Sequence, residues 1–154
     1  MSEEDAFPII GEWTGFDDYR GALTILFNDN DRVLLQLRDD LTTVEPDKWG
    51  LFGGGVEAGE TLVEAASREL AEELGVAIPQ ADLNPLARLV TQATGKRLYC
   101  YTAKVNFPLS EITLGEGAGF GLFTADAASH LPLVSATRRF LEFWQKSKTR
   151  TADP

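Results

Sequence analysis

The chain has 154 residues, with 24 acidic and 14 basic side chains and a formal net charge of −10 at pH 7. That length suits one domain, and a composition of 44% hydrophobic and 10% aromatic residues excludes wholesale disorder. The acidity argues against binding nucleic acid or an anionic membrane, where phosphates reward Lys and Arg, although a bound divalent cation reverses the local sign for a small phosphorylated substrate. Cys100 and His130 are the only residues of their kinds, so an internal disulfide, a zinc cluster and a His-rich metal site are out. The acidic start MSEEDAFPII lacks the basic and apolar regions of a signal peptide. No apolar run approaches the roughly 18 residues of a membrane helix, so a soluble, cytoplasmic chain is expected.

Residues 1–19 read as an N-terminal extension whose Trp13, Phe16 and Tyr19 pack on the core or its edge; a base pocket or a dimer contact is their other use. Residues 20–27 and 32–38 are apolar β-type runs, with Asn28, Asp29, Asn30 and Asp31 as the hairpin turn. Residues 39–48 are polar, carry Pro46 and read as a loop. A short apolar piece, 49–52, then runs into Gly53, Gly54 and Gly55. Residues 61–74 spell the clearest helix. Thr61 and Glu64 form a capping box, Leu62, Ala66, Leu70 and Leu74 repeat every four residues, and Gly75 supplies the stop. Strands over 86–92 and 98–105 follow, joined across Thr94, Gly95 and Lys96. Alternation puts Tyr99 and Tyr101 on one face and Cys100 on the other. Residues 109–121 read as a Gly-rich loop with Leu122 and Phe123 bordering a short strand, and 125–129 as one helical turn. Residues 135–146 read as a last helix with an Ala136, Phe140, Leu141 and Trp144 stripe, and 148–154 as a frayed tail. The pattern gives one domain over 1–154, of α/β (α+β) class, with helices on both faces of a mixed sheet.

Six glutamates fall within residues 57–73, and spacing decides which can cooperate. Glu69, Glu72 and Glu73 lie within about 100° of one helix face, near the C-terminal end where the dipole disfavours anions. Like charges at such spacings cost a few tenths of a kcal/mol each. That penalty hints at an external cation, and oxygen-only donors select Mg²⁺ or Mn²⁺, ions that bridge phosphate oxygens. Arg68 can orient one of these carboxylates, or Glu60, by a bidentate pair. A solvated acidic helix face is the alternative.

Gly54, Glu60, Arg68-Glu69-Leu70, Glu72-Glu73 and Gly75-Val76 stand at spacings that resemble a complete Nudix box over residues 54–76. Seven fixed positions match, a coincidence expected by chance on the order of once in 10⁸ starting points. The resemblance implies a Nudix-like α/β/α sandwich with a mixed central sheet, and Mg²⁺-dependent hydrolysis of a nucleoside diphosphate linked to another group. Nucleoside triphosphates, ADP-ribose and nucleotide sugars all suit that chemistry. Carried over, Glu72 and Glu73 are metal ligands, Glu69 is a ligand or the general base, Arg68 orients Glu69, and the Gly54 carbonyl completes the metal sphere. Glu116, between Gly115 and Gly117, is the candidate for a further carboxylate ligand. Arg38 ends the strand leading to the substrate loop and is a candidate phosphate contact. Phe52 stands where the family often has Pro, which bears on substrate fit.

Two other readings stay open: a catalytically silent Nudix fold that binds a nucleotide as a sensor or interaction module, and a plain acidic interaction protein. The intact Glu69, Glu72 and Glu73 set favours the enzyme. Trp49 is expected to pack under the glycines, and His130 to sit at a surface or capping position. The resemblance and the frequency of symmetric oligomers leave room for a homodimer.

Overall fold

The run Arg20–Phe27 (β1) alternates its side chains between two apolar environments, and so becomes a strand buried on both faces at the centre of the sheet. In the computed structural model, residues 1–38, 45–115 and 117–152 are described, the last four without their side chains. β1 pairs in parallel with Arg97–Lys104 (β6) along its whole length, and β6 pairs antiparallel with Asn84–Val90 (β5). On its other edge β1 meets two strands in turn. Phe52–Gly55 (β4) pairs with its first half, and Val33–Leu37 (β2) with its end. β2 also pairs with Trp49–Gly50 (β3) and with Gly119–Phe123 (β7), completing a mixed seven-stranded sheet.

A parallel pair needs a long crossover. Here that crossover contains the helix Leu62–Leu74 (α1), which lays Leu62, Ala66, Leu70 and Leu74 on Ala22, Leu26, Phe52, Tyr99 and Tyr101. On the opposite face, Ser135–Ala152 (α3) buries Ala136, Phe140, Leu141 and Trp144 over Ile25, Leu35, Leu89 and Cys100, flanked by the short helix Ala125–Ser129 (α2). The α/β/α layering follows from these two stripes, and Cys100 is fully buried on the α3 side of the sheet.

Two readings of the sequence need correction. The short strand expected beside Leu122 and Phe123 begins three residues inside the Gly-rich segment expected to be a loop: it is β7, whose five residues register with β2 from Leu37 to Val33. Glycine obscures strand propensity, but the open edge of β2 supplies the pairing. The last helix, expected to end near residue 146, runs to Ala152. The N-terminal extension packs on the core, as its aromatic residues lead one to expect, with Trp13 against the cluster under α1. Phe7 is buried edge-on against Tyr99 and Tyr101, and residues 8–10 hydrogen-bond Arg88 on the outer edge of β5.

Candidate active site

The site is built where β4 runs into α1. The α1 N-terminus is closed by the capping box: Glu64 N–H donates to Thr61 Oγ1 at 3.2 Å, and Thr61 N–H donates to Glu64 Oε1 at 2.8 Å. The two amides left over, Leu62 N–H and Val63 N–H, donate to the Glu3 carboxylate at 2.7 and 3.1 Å. Gly75, at φ +69°, ends the helix with its N–H on the Ala71 carbonyl. The carboxylate-bearing turns are therefore held at both ends.

Arg68 is the hub. Its Nε and Nη2 grip Glu60 in a bidentate pair at 2.7 and 2.9 Å. Nη2 also donates to the Gly55 carbonyl at 3.0 Å, and Nη1 to Glu69 at 3.0 Å and to Glu72 at 3.3 Å. Glu57 lies 3.7 Å from the same Nη1. One guanidinium thus ties the loop after β4 to the middle of α1. The Arg68 hydrogen bonds, with the Glu57 N–H, hold the Glu60 carboxyl down to about 2, and the surrounding carboxylates push the guanidinium still further up.

Glu73 behaves differently from its neighbours. It is buried, and its Oε2 accepts the Gly53 N–H at 2.8 Å. Glu72 is largely exposed, and Glu69 lies between these extremes. Gly53 sits at φ +146°, with its α-carbon so close to the Ala22 carbonyl that a side chain would collide with it. Gly54 faces α1: a β-carbon there would stand 2.5 Å from Glu69 Oε1. The absent side chain lets the Glu69 carboxylate lie directly against the Gly54 backbone.

Among the described residues, no three His, Cys, Asp or Glu side chains converge as they would around an ion. Arg68 draws Glu60, Glu69 and Glu72 to itself instead. The donor set still fits a hard divalent cation. Carboxylate oxygens are the donors such an ion takes, and the space kept free at Gly54 lets the Glu69 carboxylate reach the backbone there. Glu116 lies outside the described residues. Its neighbour Gly115 donates its N–H to the Glu73 carbonyl at 2.8 Å, so the loop carrying it is fastened to the end of α1.

A cleft of about 790 Å³ opens from Gly53 and Gly54 across the α3 face of the sheet. Leu23, Leu89 and Leu98 line it, together with the first turn of α3. Arg38 lies on this cleft, as do Tyr19, Lys96 and Arg139. The Tyr19 phenol is pushed above its ordinary range by burial, and next by the charge of Glu69. Lys96 and Arg139 carry no motif, and only the meeting of the β5–β6 turn, α3 and the glycine loop brings them to one place. Trp49 packs edge-on against Phe123, and His130 ends α2 with its ring on the Asp126 carbonyl.

Known proteins resemble this arrangement. The family model of the NUDIX domain matches residues 18–143. The chain is 39% identical over 93 residues to an uncharacterised Nudix hydrolase of Pseudomonas aeruginosa, covering 58% of this chain and 54% of that one. It is 35% identical over 88 residues to the nucleoside triphosphatase NudI of an Escherichia coli strain, covering 54% and 62%. It thus spans between half and two thirds of the length of these relatives. Among solved structures, the MutT NUDIX hydrolase of Burkholderia pseudomallei superposes with a TM-score of 0.70 at 28% identity, covering 80% of this chain and 95% of that one.

Proposed function

The chain belongs to the Nudix family, and from that premise we propose that it is a divalent-metal-dependent pyrophosphohydrolase acting on a nucleoside diphosphate linked to another group. The observation that carries this reading is the Arg68 hub, which ties Glu60, Glu69 and Glu72 to the glycine loop, whose Gly53 and Gly54 line the cleft. Glu69, Glu72, Glu73 and the Gly54 carbonyl are the residues that would hold Mg²⁺ or Mn²⁺, with Glu116 as a further carboxylate. When bound, the ion supplies charge neutralisation for the pyrophosphate and its leaving group.

The chain's own residues do the rest. Arg68 orients Glu69, and Glu69 accepts the proton of the water that attacks phosphorus. Glu73 fixes the Gly53 amide, and with it the backbone that faces the phosphates. Arg38 contributes a cation on the cleft wall. The apolar strip of Leu23, Leu89 and Leu98 suits the flat face of a base.

The test is a panel of nucleoside triphosphates, ADP-ribose and nucleotide sugars, assayed with and without Mg²⁺ for the wild type and Glu69→Gln. Cleavage that needs Mg²⁺ and falls at least about 100-fold in the variant is expected. No cleavage across the panel, or full activity in Glu69→Gln, overturns the reading.

A further inference from the structure

Three of the five lysines are held by carboxylates: Lys48 pairs with Glu45, Lys104 with Asp29 and Lys148 with Asp31. Lys96 is different. Among the described residues no carboxylate pairs with it. Its ammonium stands over the Tyr19 ring, 4.7 Å from the centroid, and both residues line the cleft. An aromatic face holds an ammonium in place without neutralising it.

The pair is carried on stiff backbone. Thr91 N–H donates to the Lys96 carbonyl at 2.9 Å, and Lys96 N–H donates back to Thr91 Oγ1 at 3.0 Å. Asp17 N–H donates to the Gly95 carbonyl, Tyr19 N–H donates to Asp17 Oδ1, and Arg97 N–H donates to the Tyr19 carbonyl. The turn holding Lys96 is so tied to the segment holding Tyr19. The Tyr19 ring in turn rests on the glycine loop, 3.5 Å from where a β-carbon of Gly55 would stand. Lys96 and Tyr19 thereby share the wall of the cleft with Gly53 and Gly54.

We propose that Lys96, supported by the face of Tyr19, binds phosphate oxygens of the substrate's phosphate chain at the Gly53–Gly54 end of the cleft. This rests on the pyrophosphohydrolase reading and adds to it the residues that receive the phosphates on the side not served by metal. Lys96 contacts the substrate, and Tyr19 is a positioning residue that acts through Lys96.

The experiment measures kcat and KM for a nucleoside triphosphate with the wild type, Lys96→Met, Lys96→Arg, Tyr19→Leu and Lys146→Met. The last removes an equal charge from α3 outside the cleft. Lys96→Met is expected to raise KM about tenfold with kcat nearly unchanged, as for loss of one charge-assisted hydrogen bond made equally in the ground and transition states. Lys96→Arg recovers most of that loss, Tyr19→Leu raises KM in the same direction, and Lys146→Met leaves it alone. An unchanged KM in Lys96→Met overturns the proposal. So does a fall in kcat alone, or an equal rise in Lys146→Met, which would mark a general charge effect. The same variants are titrated with a non-hydrolysable triphosphate analogue. Binding without turnover in the wild type sinks the hydrolase reading alone, whereas equal affinity of wild type and Lys96→Met sinks the role of Lys96 alone.

Discussion

Glycine at position 54 is a statement about Glu69. A β-carbon there would crowd the end of a flexible side chain, so the protein folds around Gly54→Ala at little cost but moves the carboxylate. We expect kcat to fall about 100-fold with a thermal midpoint shift of only a few degrees, checked by steady-state kinetics and calorimetry. Glu60 makes a second prediction. Its carboxyl is held at about 2, below the ordinary 4.5, so folding favours the ionised form. The pair's contribution to stability is complete above about 4.5 and is lost as pH falls toward about 2. Thermal midpoints of chelator-treated wild type and Glu60→Gln should therefore converge across that window and stay apart above it; parallel curves would show that the pair does not stabilise the fold. Spacing along the helix made Glu69, Glu72 and Arg68 legible as a unit. It could not show that Glu73 turns inward to the Gly53 amide, because that bond needs β4 laid against α1 from twenty residues away.

At the level of elements, α1 shows which signals travel through sequence. The capping box, the four-residue repeat and Gly75 are local, and the helix falls where they put it. The Glu3 carboxylate on Leu62 and Val63 N–H is not local, since it crosses 59 residues, and nothing in the acidic N-terminus announces it. Glu3→Ala removes the acceptor for two amides of the first turn. By the usual cost of losing a helix cap, it should destabilise the protein by about 1 kcal/mol, read from a urea midpoint. A variant as stable as wild type would mean that water replaces the carboxylate there. β7 is the converse case. Its Gly119 and Gly121 hide a strand that exists because β2 has an edge to fill. In α3 the buried stripe was readable, while the extension to Ala152 lies beyond the last residue of that stripe, Trp144, where no apolar pattern marks the end.

As a whole molecule, the protein separates its structural layers from its chemistry. The two apolar clusters hold α1 and α3 on opposite faces of the sheet, and the acidic site lies where β4 runs into α1, with Arg68 already balancing its carboxylates. The fold therefore does not depend on a cation in the way a structural zinc site does. Chelation should abolish turnover while leaving the thermal midpoint within about 2 °C; a large drop in midpoint would show that the ion also holds the fold together. Cys100, sealed on the α3 side of the sheet, has a further use. Burial keeps its thiol far above the ordinary range, and only the thiolate reacts. The folded protein is consequently silent to a maleimide, and every molecule that becomes labelled has parted its central strands from α3 at least once. With no second cysteine to confuse the count, the native chain carries its own clock for rare openings, and the pace of labelling with and without nucleotide reads how firmly a filled cleft keeps the sandwich shut.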